Sequence, residues 1–223
     1  DKNMKTILIT GVSRGIGKAT AQKFLENGDF VIGTSTKGIV NWKHKNLKIF
    51  ELNLAQPNSI INCVTKIKEF NKRIDILINN AGMVVEDEIN KLAIDIKYLR
   101  ETLEVNLIGT IDFTEKIIPL MNKGGHIINI SSSSGSLEYT AYTLNYPAYR
   151  ISKVALNMVT RILAIRLKGK ITVSSVHPGR VKTDMGSSDA DMEPEEAAEY
   201  IFKLANSKIQ TGQFWFKGKK FLW

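Results

Sequence analysis

A chain of 223 residues, 43% of them hydrophobic, can bury one substantial core without a metal or a disulfide, and its single cysteine, Cys63, has no partner for an internal bridge. No apolar run approaches the roughly 20 residues of a membrane span, so a cytoplasmic protein with no membrane partner is expected. The net charge of +9 and pI of about 9.5 would suit a nucleic-acid ligand, but the lysines are scattered from Lys2, Lys5 and Lys18 to a short cluster at Lys217, Lys219 and Lys220. The surplus therefore reads as a solvated surface that steers small anions, with no nucleic-acid partner.

Strand-like and helix-like segments alternate along the whole chain. Residues 6–10 form a short apolar run, followed by a glycine-rich turn and a helical pattern over 16–27 that Gly28 closes. Strands are expected at 30–35 and 47–54, then a helix over 57–71 opened by Pro57. A fourth strand spans 74–78, and one long amphipathic helix is expected over 94–121. Gly124 and Gly125 break it ahead of a fifth strand at 126–131. A helix over 148–167, a sixth strand at 171–177, a helix over 194–206 and a last strand at 214–216 complete the pattern. Short β-branched runs separated by helices are what a parallel sheet covered on both faces requires. With no repeat, low-complexity tract or linker, residues 1–223 read as one domain. Two longer irregular stretches, 132–147 and 180–193, leave the C-terminal ends of strands, where open α/β sheets bind ligands.

The segment Thr10-Gly11-Val12-Ser13-Arg14-Gly15-Ile16-Gly17 joins the first strand to the first helix. Glycines there permit a tight turn and close approach of the backbone to phosphates, and the helix N-terminus offers N–H groups and partial positive charge to an anion. The glycine spacing resembles that of the short-chain dehydrogenases/reductases, and further matches follow in that family's order. Asn79-Asn80-Ala81-Gly82 ends the fourth strand, and Asn106 lies mid-helix. Ser132 stands three residues before Gly135, Tyr149-Arg150-Ile151-Ser152-Lys153 carries a Tyr-x-x-x-Lys motif, and Pro178-Gly179 follows the sixth strand. The resemblance covers essentially the whole chain. It implies an α/β, Rossmann-type doubly wound parallel sheet of about seven strands with helices on both faces.

Residues i and i+4 share one helical face, so Tyr149 and Lys153 can point into the same cleft. A free phenol titrates near pH 10, and an acid working near neutrality needs that value lowered, which a neighbouring ammonium and an oxidised nicotinamide both favour. Tyr149 would then protonate the alkoxide formed when hydride reaches a carbonyl carbon. Ser132 would hold the carbonyl oxygen, with Ser133 and Ser134 as alternatives in the same serine run. The resemblance further implies that Lys153 binds the nicotinamide ribose and that Asn106 positions a water linking Lys153 to solvent.

Cofactor contacts are expected from Gly11, Ser13, Arg14, Gly15, Ile16 and Gly17, from Asn80, Ala81 and Gly82, and from Pro178, Gly179, Val181 and Thr183. Asn53 and Leu54 would border the adenine, although the family more often has Asp at the first of these. The end of the second strand, Thr34-Ser35-Thr36-Lys37, lacks the carboxylate that holds the ribose hydroxyls of NAD. Arg14, whose fork suits phosphate, and Thr36 therefore point to NADP(H). No metal site is expected, because His44, His126 and His177 have no ligand spacing. Met185, Met192, Tyr139, Tyr142 and Tyr146 would line an apolar pocket or pack on the domain.

Residues 149–158 and 177–186, Gly212 to Gly218 and Trp223 resemble the small carbonyl-reductase-like branch, with Arg180 standing where an aromatic is often found. Val31-Ile32-Gly33-Thr34 and Asn53 resemble ketoacyl-carrier-protein reductases instead. The substrate is thus a small-molecule carbonyl or a carrier-bound thioester. A non-catalytic NADP sensor would be expected to lack the Tyr/Lys pair, which this chain keeps. Apolar residues on the helices over 94–121 and 148–167 exceed what one sheet face needs, and the resemblance implies a homodimer or homotetramer.

Overall fold

The structure, a computed structural model, describes residues 4–85, 93–139, 145–183 and 190–223. Its strands are β1 (Thr6–Ile9), β2 (Phe30–Ser35), β3 (Leu47–Glu51), β4 (Ile74–Asn79), β5 (Met121–Ile130), β6 (Ile171–Val176), β7 (Gln213–Phe216) and β8 (Lys219–Lys220). They form one sheet in the order β3-β2-β1-β4-β5-β6-β7-β8. Every pairing is parallel except β7 with β8. The order reverses between β1 and β4, so a crevice opens beyond the C-terminal ends of these strands.

The unbroken apolar runs are explained by burial on both faces. Ile7, Ile9, Val31, Ile78, Ile128 and Val176 face α1 (Gly15–Glu26) and α6 (Pro194–Ala205), where Phe24 and Ile201 complete the layer. Leu8, Ile32, Leu77, Ile127 and Val173 face the other way, onto α2 (Pro57–Glu69), α4 (Thr110–Ile117) and α5 (Pro147–Arg166). Cys63 is buried in that second layer as a small apolar side chain, and burial pushes its thiol up to about 12.

The long helix expected over 94–121 is instead four pieces. After α3 (Ile96–Leu103) comes a π-helical turn (Glu104–Gly109), then α4, then a 3-10 turn (Ile118–Leu120). The wide turn brings Gly109 against the backbone of Leu54. A Cβ on Gly109 would lie 1.9 Å from the Leu54 carbonyl oxygen. Thr110 Oγ1 donates to the carbonyl of Val105 at 3.1 Å, five residues back, closing the widened turn. Pro119, lacking an N–H, ends the helix. Gly124 and Gly125, expected to separate helix from strand, lie inside β5. Gly124 has φ +82°, and the β4–β5 register shifts between Ile74 and Ile76. Strand β8 was not expected, because two exposed lysines carry no apolar alternation. Its signal is the turn before it, where Lys217 (φ +47°) and Gly218 (φ +76°) form a tight hairpin.

Among the described residues no helix is long and apolar enough to cross a membrane, and no group of three or more His, Cys, Asp or Glu side chains is placed to hold a metal.

Candidate active site

The glycine-rich turn follows β1, and the backbone needs its glycines. Gly11 (φ +74°) and Gly15 (φ +54°) occupy left-handed conformations, and a Cβ on Gly17 would lie 2.1 Å from the Gly11 carbonyl oxygen. The turn is stitched to the end of β4. Thr10 Oγ1 accepts from the backbone N–H groups of Asn80 and Ala81, both at 3.0 Å. Asn80 Nδ2 donates to the carbonyls of Thr10 and Gly11, at 2.9 and 3.0 Å. The N-cap residue of α1, Arg14, makes no side-chain cap, and the first turn of the helix holds no acidic residue. That end therefore presents its N–H groups to the crevice.

A cavity of about 420 Å³ occupies the crevice. Of the expected cofactor residues, Gly11, Ser13, Arg14, Gly15, Ile16 and Gly17 line it from the first turn, and Thr36 from the end of β2. Asn80, Ala81 and Gly82 line it after β4, Tyr149 and Lys153 from α5, and Pro178 and Thr183 after β6. The other four point elsewhere. Leu54 is in the core, and Asn53 Oδ1 accepts from the N–H of Ala55 at 3.0 Å. Val181 packs with Met192 and Ala197, and Gly179 turns at φ +100° against Met192. Leu52 lines the cavity in place of Leu54. Residues not anticipated there are Thr34, Ser35, Ile130, Ser131, Lys182 and Pro194. Lys182 had a readable signal, as a cation between the expected contacts Val181 and Thr183; it is paired with Glu193 at 2.5 Å. The hydroxyl of Ser131 is buried without a hydrogen-bond partner among the described residues. Of the pocket candidates, Met192 is buried in the core and Tyr139 packs its ring on Phe221, centroids 5.5 Å apart. Tyr146 adopts φ +57° just ahead of α5, while Met185 and Tyr142 lie outside the described residues.

The proposed acid–base group gathers where β5 ends. Ser132 caps a short turn (Ser133–Gly135), its Oγ accepting from the N–H of Ser134 at 3.1 Å. The Ser132 side chain is near enough to Tyr149 to favour its ionised phenol. Lys153, one turn further along α5, donates to the Ile130 carbonyl at 2.8 Å, and its Nζ lies 5.4 Å from the centre of the Tyr149 ring. Gly82 leaves room for this cluster. A Cβ there would come within 3.2 Å of Asn106 Oδ1 and 3.7 Å of Lys153 Nζ.

One electrostatic expectation changes. Burial pushes the Tyr149 phenol up, and the neighbouring Ser132 side chain only partly offsets it, so the chain alone does not lower this group as the Tyr/Lys spacing suggested. Lys153 is itself desolvated, its ammonium pushed down to about 8 while it donates to the Ile130 carbonyl. Asn106 sits on the π turn rather than in a regular helix. Its Oδ1 accepts from the N–H of Met83 at 2.8 Å, and its Nδ2 donates to the Met83 carbonyl and to Ser152 Oγ, at 2.9 and 3.1 Å. It thereby fastens the segment after Gly82 to α5.

A nicotinamide dinucleotide fits what this crevice offers: glycines whose absent side chains leave room, an uncapped helix N-terminus for phosphate, and the orphan Ser131 hydroxyl. A family model described as short chain dehydrogenase matches residues 5–194. The chain is 33% identical over 216 residues to an oxidoreductase of Bacillus subtilis, covering 92% of this chain and 77% of that protein. It is also 33% identical over 218 residues to a 3-oxoacyl-acyl-carrier-protein reductase of Buchnera aphidicola, covering 93% and 84%. The crystal structure of an NADPH-bound carbonyl reductase from chicken fatty liver superposes with a TM-score of 0.90 at 27% identity, over 100% of this chain and 96% of that one. The carbonyl reductase Sniffer of D. melanogaster gives 0.87 at 27% identity, over 99% and 100%. The chain belongs to the short-chain dehydrogenase family and is an NAD(P)-dependent oxidoreductase.

Proposed function

We propose that the protein reduces a ketone or aldehyde to an alcohol with NADPH, with Tyr149 as the general acid. The observation that carries this reading is the meeting of Ser132, Tyr149 and Lys153 beside a cavity whose wall at the end of β2 bears Thr34, Ser35 and Thr36 and no carboxylate. The bound nicotinamide supplies the hydride. Ser132 holds the carbonyl oxygen by a hydrogen bond, and Tyr149 gives that oxygen its proton as the carbon is reduced. Lys153 holds the ribose. Its ammonium, together with the positive charge of the oxidised ring, works against the burial that raises the phenol. Arg14 and Thr36 take the 2′-phosphate, and Gly11, Gly15 and Gly17 admit the diphosphate to the N-terminus of α1. Asn106 acts by holding Met83 and Ser152. A second reading, reduction of a carrier-bound 3-oxoacyl thioester, is favoured by identity of 33% to reductases of that class. The working form is a homodimer or homotetramer.

The test is NADPH oxidation with aldehydes, diketones and acetoacetyl thioesters, alongside fluorescence titration of NADPH and NADH. A carbonyl that accelerates oxidation supports the reaction, and the preferred member of the panel separates the two substrate classes. NADPH should bind more tightly than NADH, and Arg14→Ala should narrow the ratio by about tenfold or more, the value of a charged hydrogen-bond pair. Equal affinities, or an unchanged ratio in the variant, overturn the cofactor assignment.

A further inference from the structure

His177 directly follows β6, and the chemistry above makes no use of its half-buried imidazole. Two backbone N–H groups converge on its Nδ1, that of Ser133 at 3.2 Å and that of Gly179 at 3.4 Å. An atom that accepts twice is the bare nitrogen of the ring, so the proton is on Nε2. The ring lies against Phe216 and Phe221, with centroids 4.7 and 5.5 Å away. Burial pushes its titration down to about 4, which keeps Nδ1 an acceptor near neutral pH.

The first of those N–H groups belongs to the peptide that leaves Ser132. The carbonyl of the same peptide accepts from the N–H of Gly135 at 2.8 Å, so both ends of the peptide plane are held. On the other side of the serine, the N–H of Ser131 is bound to the Val176 carbonyl at 2.8 Å. Of these anchors, only the one at Nδ1 comes from a side chain. The second N–H lies in the turn after Pro178, which lines the cavity.

We propose that His177 is a positioning residue: its Nδ1 fixes the Ser132–Ser133 peptide, aims the Ser132 hydroxyl, and ties the serine turn to the Pro178–Gly179 turn through one shared acceptor. This rests on the reading above in which Ser132 holds the carbonyl oxygen. Misplacement of a positioning group by about an ångström costs up to about a hundredfold in rate, so one anchor of this kind has a measurable kinetic effect.

The experiment compares the parent with His177→Asn, His177→Gln and Ser132→Ala. Asn carries its Oδ1 on the same carbon that bears Nδ1 in histidine, whereas the Gln oxygen sits one carbon further out. Amide hydrogen exchange of the cofactor-free protein, kcat with 2,3-butanedione and NADPH, and NADPH affinity are measured for each. Ser133 should be protected in the parent and in His177→Asn and should exchange faster in His177→Gln. For His177→Gln, kcat should fall about tenfold, with NADPH affinity within about threefold of the parent; His177→Asn should keep most of the parent rate. Parent-like protection of Ser133 and parent-like kcat in His177→Gln, with Ser132→Ala inactive, overturn the inference alone. Parent-like turnover of Ser132→Ala overturns the reading beneath it and the inference together.

Discussion

Tyr149 and Lys153 differ in what their removal does, because only one of them is a buried charge. Tyr149→Phe deletes a hydroxyl and leaves the ring packed. Loss of a positioned acid lowers turnover by on the order of 10²–10⁴, while NADPH affinity changes little. A variant that keeps more than about a tenth of the parent rate assigns the proton to another group. Lys153→Met should lower turnover and cofactor affinity together, and it should also have a stability signature in the cofactor-free protein. The folded value of Lys153, about 8, lies below its ordinary 10.5. Between those values the unfolded chain binds more protons, so stability rises with pH across that window. The cost of burying the ammonium is complete below pH 8 and on the order of 3 kcal/mol. Lys153→Met should therefore gain most on the parent in thermal melting at pH 7, and the gain should shrink as pH rises toward 10.5. A gap independent of pH contradicts the buried-ammonium account.

At the scale of elements, the π turn does what a regular helix over the same residues would not. The extra backbone in Glu104–Gly109 sets Asn106 where it binds Met83 and Ser152 and lets Gly109 touch the Leu54 carbonyl. Gly109→Ala forces a Cβ into that carbonyl, which is backbone and has nowhere to move cheaply. Overpacking of this kind costs about 1–3 kcal/mol. The expected result is a lower midpoint in urea with an unchanged slope, accompanied by reduced turnover as Asn106 shifts. An unchanged midpoint shows that the turn tolerates the methyl and that the close approach is not needed.

For the whole molecule, the face left over by the sheet is informative. Ile151, Met158, Ile162 and Ile165 form one stripe along α5, with relative exposures of 38%, 59%, 54% and 76%, and Ile108 on the π turn is 51% exposed. The spacing of seven, four and three residues keeps the stripe on a single helical face. A contiguous apolar face of this sort is where a second copy would dock in a closed, two-fold assembly. Light scattering at tens of micromolar, a working range for a weak interface, should give a dimer or a tetramer. Ile162→Glu should shift the assembly toward monomer with the fold retained, and a monomeric parent at that concentration refutes the proposal.

Period and punctuation in the sequence determine much of this protein. Apolar runs such as Ile7 to Ile9 and Ile76 to Ile78 read as doubly buried strands, and the glycines after β1 read as a phosphate turn, because both signals are local. The pairing of Tyr149 with Lys153 follows from helical spacing alone. Tertiary structure decided what depends on approach between distant segments. The break at Gly109 exists because Leu54, far away in the chain, passes within contact distance. Leu52 rather than Leu54 lines the cavity because of how the chain leaves β3, which alternation along the strand does not encode. The ionisation of Tyr149 and Lys153 belongs to the same class. Their spacing predicts that the two groups meet, but the balance between charge and desolvation is set by everything that packs around them. His177 shows the same division: the sequence places it before Pro178, and only the fold brings the Ser133 N–H, 44 residues away, to its ring.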